Sequence, residues 1–182
     1  MTEQEMLAAT RQGDHEAFKE LIKRYESRVA ATVIGMLGQC AEAEDVGQET
    51  FVRFYKGLKR FRGESSLATY LTRIAINLSL NELKRRRRRS SLFLQKSMDE
   101  IGDIPDARAS VDGHEDREIV QQALQKLHKK FRAVVVLRLI DGYSTEETAQ
   151  ILDLPIGTVL SRLSRAQKKL KELLKPVYGD ER

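Results

Sequence analysis

Residues 144–174 constrain the fold of this chain more tightly than any other stretch. Ser144-Thr145-Glu146-Glu147 has the form of a capping box, in which Ser144 bonds the amide of Glu147 and Glu147 reaches back. A short helix follows, with Ala149 and Leu152 on its inner face. Asp153-Leu154 makes a turn, and Pro155 suits the first position of the next helix, where its missing N–H costs nothing. Ile156, Val159, Leu163, Ala166, Leu170 and Leu173 then recur at spacings of three and four, which makes one buried stripe. The outer face carries Thr158, Ser161, Arg162, Arg165, Lys168 and Lys169. Short polar groups in the first turns and cations further along suit a helix that lies in the major groove of duplex DNA. The competing reading is a solvated amphipathic helix in a small bundle. It accounts for the charged face but not for the cap, the tight turn and the cationic bias together.

The rest of the composition agrees with helices throughout. At 182 residues the chain can hold one large domain or two small ones, and 41% hydrophobic content is enough for packed cores. Few segments are rich in β-branched residues, so an all-α protein is expected. A net charge of +5 fits a nucleic-acid partner without requiring one. The single cysteine, Cys40, excludes a disulfide framework and a cysteine-rich zinc site. His15, His114 and His128 show no ligand spacing, so neither a metal nor a cofactor is expected. The N-terminus is acidic and has no apolar signal core. The longest apolar run, residues 133–137, is too short to span a bilayer and is followed by Arg138. A cytoplasmic protein with no direct membrane insertion is expected.

Hydrophobic periodicity divides the chain into two small helical domains. In residues 1–89 four helices are predicted, an N-terminal helical bundle. The first, 3–12, is closed by Gly13. Asp14 caps the second, which carries the stripe Phe18, Leu21, Ile22, Tyr25, Val29, Val33 and Met36 and ends at Gly38. The third covers about 43–61, with Val46, Phe51, Phe54, Leu58 and Phe61 inside. The fourth starts near Ser66 and buries Leu67, Leu71, Ile74 and Leu78; Tyr70, Arg73, Asn77 and Asn81 lie on its other faces. It leads into six consecutive cations at 84–89, a block that is solvated or bound to a polyanion. Residues 90–113 read as a flexible acidic linker, because they hold Gly102, Pro105, Gly113 and five acidic residues without a helical stripe. Residues 114–182 read as a C-terminal helix-turn-helix domain of four helices, with 131–139 as its central buried helix.

Several short blocks occur in a fixed order along this chain. They are Gly13-Asp14 with Ala17-Phe18, Ala43-Glu44-Asp45-Val46 with Gln48-Glu49-Thr50-Phe51, Phe61-Arg62-Gly63-Glu64-Ser65, and Arg73-Ile74-Ala75-Ile76-Asn77. Leu137-Arg138, Asp141-Gly142-Tyr143-Ser144, Gly157-Thr158-Val159, Ser161-Arg162-Leu163 and Arg165-Ala166 follow. In this order and spacing they resemble the bacterial extracytoplasmic-function (ECF) sigma factors of RNA polymerase over nearly the whole chain.

The resemblance implies roles. Asp45, Val46, Gln48, Glu49 and Val52 would grip core RNA polymerase at its largest subunits, and the C-terminal domain would meet the flap. Arg62, Gly63, Glu64, Ser65, Arg73, Asn77, Asn81, Lys84 and Arg85 would recognise and open the −10 promoter element. Asn77 can both donate and accept, which suits the edge of an extruded base. Thr158, Leu160, Ser161, Arg162, Ser164, Arg165, Lys168 and Lys169 would read the −35 element. The linker is either a plain tether or a strand that occupies a channel built for RNA. A separate anti-sigma factor is implied as the regulator. Two positions depart from the family: Tyr70 stands where Trp is common, and Leu160 stands where a cation is frequent. The implied function is promoter-specific initiation by a subunit that is not an enzyme. A one-component helix-turn-helix regulator would explain residues 144–174 but not the 45–51 block or the base-capture segment.

Overall fold

The computed structural model describes residues 1–96 and 115–179. Every regular element among them is helical, in the order α1 (Glu3–Arg11), α2 (His15–Leu37), α3 (Ala41–Gly57), α4 (Leu67–Lys96), α5 (Glu115–Lys126), α6 (Lys129–Val135), α7 (Thr145–Leu152) and α8 (Ile156–Tyr178). The termini are written in the sequence. Thr2 and Glu5 close a capping box on α1, and Asp14 accepts from the amides of Glu16 and Ala17 at 2.9 and 3.0 Å to start α2. Helix α2 ends where Gly38 takes a φ of +84°, a value that glycine adopts without strain.

Helices α1–α4 form the first domain, with α2 and α4 as its central pair. Leu21, Val29, Val33 and Met36 of α2 meet Phe54 of α3 and Leu67, Leu71 and Ile76 of α4 in a fully buried core. Two boundaries differ from the sequence reading. Helix α3 stops at Gly57, and Leu58–Arg60 form one tighter 3₁₀ turn that brings Phe61 back onto Tyr70, ring centroids 4.9 Å apart. Helix α4 runs on to Lys96, so residues 90–96 are helical where the linker was expected to have begun. No Gly or Pro occurs between Leu67 and Lys96 to stop it. The linker's remaining residues, 97–113, lie outside the described residues.

The second domain, α5–α8, has two small cores. Leu124, Leu127, Val135 and Ala166 form one, and Val134, Ala149 and Val159 form the other. The apolar run at 131–139 does not stay α-helical. After Val135 it widens into a π-turn, Val136–Ile140, closed by the Asp141 amide on the Val136 carbonyl at 2.9 Å. The wider turn leaves Leu139 exposed, so the buried helix predicted there is shorter than expected. Ser144 and Glu147 make the predicted capping box. Asp153 makes the turn in the left-handed region at φ +53°. Pro155 is the cap of α8, not its first residue, and its carbonyl accepts from Thr158 at 2.9 Å. Ile156, predicted buried, is 47% exposed, because its turn projects past the two cores.

The two domains pack on each other. Ala133, Val136, Leu137, Tyr143 and Ile151 join the core of the first domain, and α2 and α4 both contact the second.

Candidate nucleic-acid interface

Helix α8 sets out its candidate residues by helical phase. Val159 and Ala166 are fully buried and fix the inner side. Leu160, Ser161, Ser164, Arg165, Lys168 and Lys169 are exposed, and Thr158 and Arg162 are half-buried at the flank. Leu160 is 52% exposed, which leaves an apolar group free on an otherwise polar face. Ser161 donates to the Thr158 carbonyl at 3.1 Å. Lys169 pairs with Glu172 at 3.1 Å, a solvated contact that a phosphate can displace at small cost. The face therefore offers short polar and methyl-bearing groups first and cations later.

On α3 the candidate polymerase residues do not all face outward. Asp45, Gln48 and Val52 are exposed and Glu49 is half-buried, paired with Arg53 at 2.9 Å. Val46 is 9% exposed and belongs to the first domain's core. Its assignment to the contact face is corrected: one residue after Asp45 is a 100° turn of the helix, and that turn points into the core. Tyr55, 38% exposed, extends the apolar part of the face beyond Val52.

The candidate −10 residues fall into two groups. Arg62, Glu64, Ser65, Tyr70 and Arg73 line one open crevice together with Arg60, Phe61 and, from α7, Gln150. Gly63 turns the loop at φ +76°. Asn77 lies one turn further along α4 and is exposed. Asn81 and Arg85 instead line a crevice with Asp45, Val46 and Glu49 of α3, beside the candidate polymerase face.

The basic run is divided by its helical phase. Arg85 pairs with Glu82 at 2.9 Å. Arg86 is inward: it donates to the Leu37 carbonyl at 3.1 Å and the Cys40 sulfur at 2.9 Å, and it pairs with Glu42 and Glu82 at 3.3 and 3.6 Å. Arg89 pairs with Glu82 at 3.1 Å. Arg85, Arg86 and Arg89 therefore neutralise the buried Glu82, and Arg86 and Arg89 also reach Glu42, which ties α4 to the start of α3. Arg85 stays exposed despite this pair, as do Lys84, Arg87 and Arg88. Cys40, which accepts from Arg86, is half-buried.

The seam between the domains holds polar residues that sequence reasoning passed over. Tyr143 is buried, its hydroxyl 2.9 Å from that of Thr72, with the Arg28 guanidinium over its ring at 5.7 Å. Thr32 donates to Asp141 at 2.8 Å, and burial pushes the Asp141 carboxyl up to about 6 against the opposing effects of that bond and of Arg28. Arg132, 6% exposed, donates to the carbonyls of Met36, Gln125 and Leu127 and to the Gln125 side chain, all within 2.5–3.0 Å. Gln121 donates to the Ile34 carbonyl at 2.7 Å. Arg73 donates to the Gln150 carbonyl at 3.1 Å. The block Asp141-Gly142-Tyr143-Ser144 was visible as a motif, but its use at a domain seam was not.

Among the described residues no helix is long and apolar enough to cross a membrane, and no cluster of His, Cys, Asp and Glu could hold a metal ion.

Comparison with known proteins accounts for both domains. Residues 21–89 match Sigma-70 region 2 and residues 117–170 match Sigma-70 region 4. The RNA polymerase sigma-H factor of Pseudomonas aeruginosa is 31% identical, over 98% of this chain and 96% of that protein. The ECF RNA polymerase sigma-E factor of Escherichia coli K12 is 33% identical, over 97% and 96%. Among solved structures, CnrH in complex with the cytosolic domain of CnrY is similar with a TM-score of 0.68 and 28% identity, over 94% of this chain and 96% of that one. RpoE of Bartonella quintana, crystallised with the anti-sigma factor NepR, is similar with a TM-score of 0.66 and 27% identity, over 91% and 98%. With both sigma regions present in order and full-length relatives above 30% identity, the chain belongs to the ECF RNA polymerase sigma factors.

Proposed function

We propose a division of labour among three surfaces of this sigma factor. The exposed side of α3, with Asp45, Gln48, Glu49 and Val52, grips core RNA polymerase. The crevice of Arg62, Glu64, Ser65 and Arg73, turned by Gly63 and extended by Asn77, opens and reads the −10 element. The outer face of α8 reads the −35 element, with Thr158, Leu160, Ser161, Arg162, Ser164 and Arg165 toward base edges and Lys168 and Lys169 toward phosphates. In this reading residues 1–89 and 114–182 are the two functional units, and the acidic segment between them tethers them or enters a channel built for RNA. The chain supplies no catalytic group; the polymerase carries the chemistry. A cytoplasmic location follows from that partnership, and the second domain also meets the polymerase flap.

The observation that carries this reading is the phase of α8, where buried Val159 and Ala166 leave a continuous polar and cationic face opposite them. Opening the duplex costs a few kcal/mol of stacking and pairing for an extruded base. Asn77 offsets this with hydrogen bonds to the base edge, and Arg62, Arg73, Lys84 and the exposed cations 87–88 with phosphate contacts. Asn81 and Arg85, which lie beside Asp45, serve at the junction of DNA and polymerase. Because RpoE of Bartonella quintana was solved with an anti-sigma factor, we extend to this chain a separate protein inhibitor of the same kind.

The test is co-elution of the chain with core RNA polymerase, followed by run-off transcription from promoters mapped after overexpression. Asp45→Ala with Gln48→Ala should abolish co-elution and leave the melting temperature nearly unchanged. Tight, specific promoter binding by the free chain at physiological salt would overturn the reading in favour of a one-component regulator.

A further inference from the structure

We infer that Leu160, backed by Ile156 one turn before it, reads the 5-methyl group of thymine in the −35 element. This rests on the −35 reading of α8 above and names the base feature that the helix selects.

Helical phase sorts the outer side of α8 into three strips. Gly157, Ser161, Ser164 and Lys168, at spacings of four, three and four, form the outermost line. Arg162, Arg165 and Lys169 follow one flank at spacings of three and four. Ile156 and Leu160 hold the other flank, 47% and 52% exposed. A single exposed leucine is ordinary on a protein surface. Here two aliphatic side chains stand in register, four residues apart, on the helix whose opposite flank carries the cations.

The surroundings of Leu160 make it protrude. Its outward neighbours on the helix are Gly157, Ser161 and Ser164, all exposed and all small. A Cβ at Gly157 would meet nothing within 4 Å, so the chain itself does not fill the space in front of that turn. Glycine is unfavourable inside a helix, but it lets the backbone come close to a ligand. The first two turns of α8 can therefore enter a groove deeply, with the isobutyl group of Leu160 standing above the small residues beside it.

Charge selects the occupant. Arg162, Arg165, Lys168 and Lys169 suit the phosphates of a duplex and not the apolar surface of a protein partner. The thymine methyl is the one apolar group that base edges present in the major groove, and apolar side chains are what meet it. The Leu160 side chain has no hydrogen-bonding atom, so it can favour a base only through that group. Ile156 lies about 5–6 Å away, which limits what the pair senses to neighbouring base pairs.

The test uses holoenzyme assembled from the full-length chain and core RNA polymerase, which selects promoters from a duplex library randomised over the −35 region. The selected duplex is resynthesised with each −35 thymine, on either strand, replaced in turn by deoxyuridine, which keeps the pairing and removes only the methyl. One such replacement should weaken wild-type binding about fourfold, the loss expected for one methyl group taken out of apolar contact. Leu160→Ala should weaken binding to the thymine duplex and make that replacement neutral, with the melting temperature unchanged. Leu160→Arg should move the selected base at this position from thymine to guanine, whose two acceptors arginine bonds together.

A selected element without thymine, or one indifferent to deoxyuridine, overturns the proposal alone. So does a Leu160→Ala variant that weakens both duplexes alike, the result for a side chain that packs on sugar or on a protein partner. If the library yields no −35 preference and Lys168→Ala with Lys169→Ala leaves promoter affinity unchanged, the −35 reading itself fails, and the proposal with it.

Discussion

Asp153 shows how one residue holds the helix-turn-helix together. It occupies the left-handed region at φ +53° and is exposed, so its backbone and not its packing matters. A residue with a Cβ is strained there, and Asp tolerates it because its short polar side chain can bond locally. Asp153→Ala should lower stability by about 1 kcal/mol, whereas Asp153→Gly should not, as read by thermal unfolding. On α8 the same reasoning separates readers from anchors. Arg162 flanks the buried Val159 and is half-buried, so it can be held in one geometry; Lys168 is exposed. Arg162→Ala should cost about 1–3 kcal/mol and relax preference at one −35 position. Lys168→Ala should weaken all sequences alike and flatten the salt dependence. Randomised −35 libraries with each mutant holoenzyme measure the two effects. A change of preference with Lys168→Ala alone would mean that α8 docks in another orientation.

Among the elements, the C-terminus of α2 explains why the domains meet where they do. The last carbonyls of a helix lack partners within it and carry partial negative charge. Here Met36 accepts from Arg132, Leu37 accepts from Arg86, and Gly35 accepts from Gln125 at 3.4 Å. Arg132 at the same time caps the carbonyls of Gln125 and Leu127 at the end of α5. It has no carboxylate partner among these contacts, and burial with the nearby Arg86 lowers its pKa to about 10, so it remains charged at neutral pH. Arg132→Leu keeps much of the volume but leaves these buried carbonyls unpaired. It should cost about 2–4 kcal/mol of stability, measured by denaturant unfolding. Little of this was legible in the sequence. The stripes of α2, α4 and α8 announced themselves because periodicity repeats a signal over many turns. A capping arginine such as Arg132 is a single residue whose partners are distant in sequence, and within the run 84–89 only the helical phase distinguishes Arg86 from Lys84. Val46 was misplaced for a related reason: a motif read as a block ignores that adjacent helical residues point apart.

At the scale of the whole molecule, the linker divided the chain in the sequence, and nothing in periodicity reported that Val136, Leu137 and Tyr143 bury themselves against the other domain. Domain docking depends on surfaces distant along the chain, and only Asp141-Gly142-Tyr143 hinted at it, as a motif with no evident local task. That motif also makes docking sensitive to pH. Asp141 sits on the seam, bonded to Thr32 and acted on by Arg28 of α2; Arg138, the nearest cation of its own segment, is occupied with the Tyr143 carbonyl. Burial raises the Asp141 carboxyl from 3.8 to about 6. The closed state therefore holds the proton more tightly than an open one in which Asp141 is solvated. Its contribution to closure is fully present below the solvated pKa and is lost as pH rises through about 6. Asp141→Asn removes the charge and keeps an acceptor for Thr32. At pH 7.5 the variant should favour the closed form by on the order of 2–3 kcal/mol relative to wild type, and the difference should vanish near pH 4. Amide exchange in α7 and the radius of gyration, followed from pH 4.5 to 7.5, measure this. A wild-type chain whose closure strengthens with rising pH, or an Asn variant with the same pH dependence as wild type, would show that Asp141 does not control the seam.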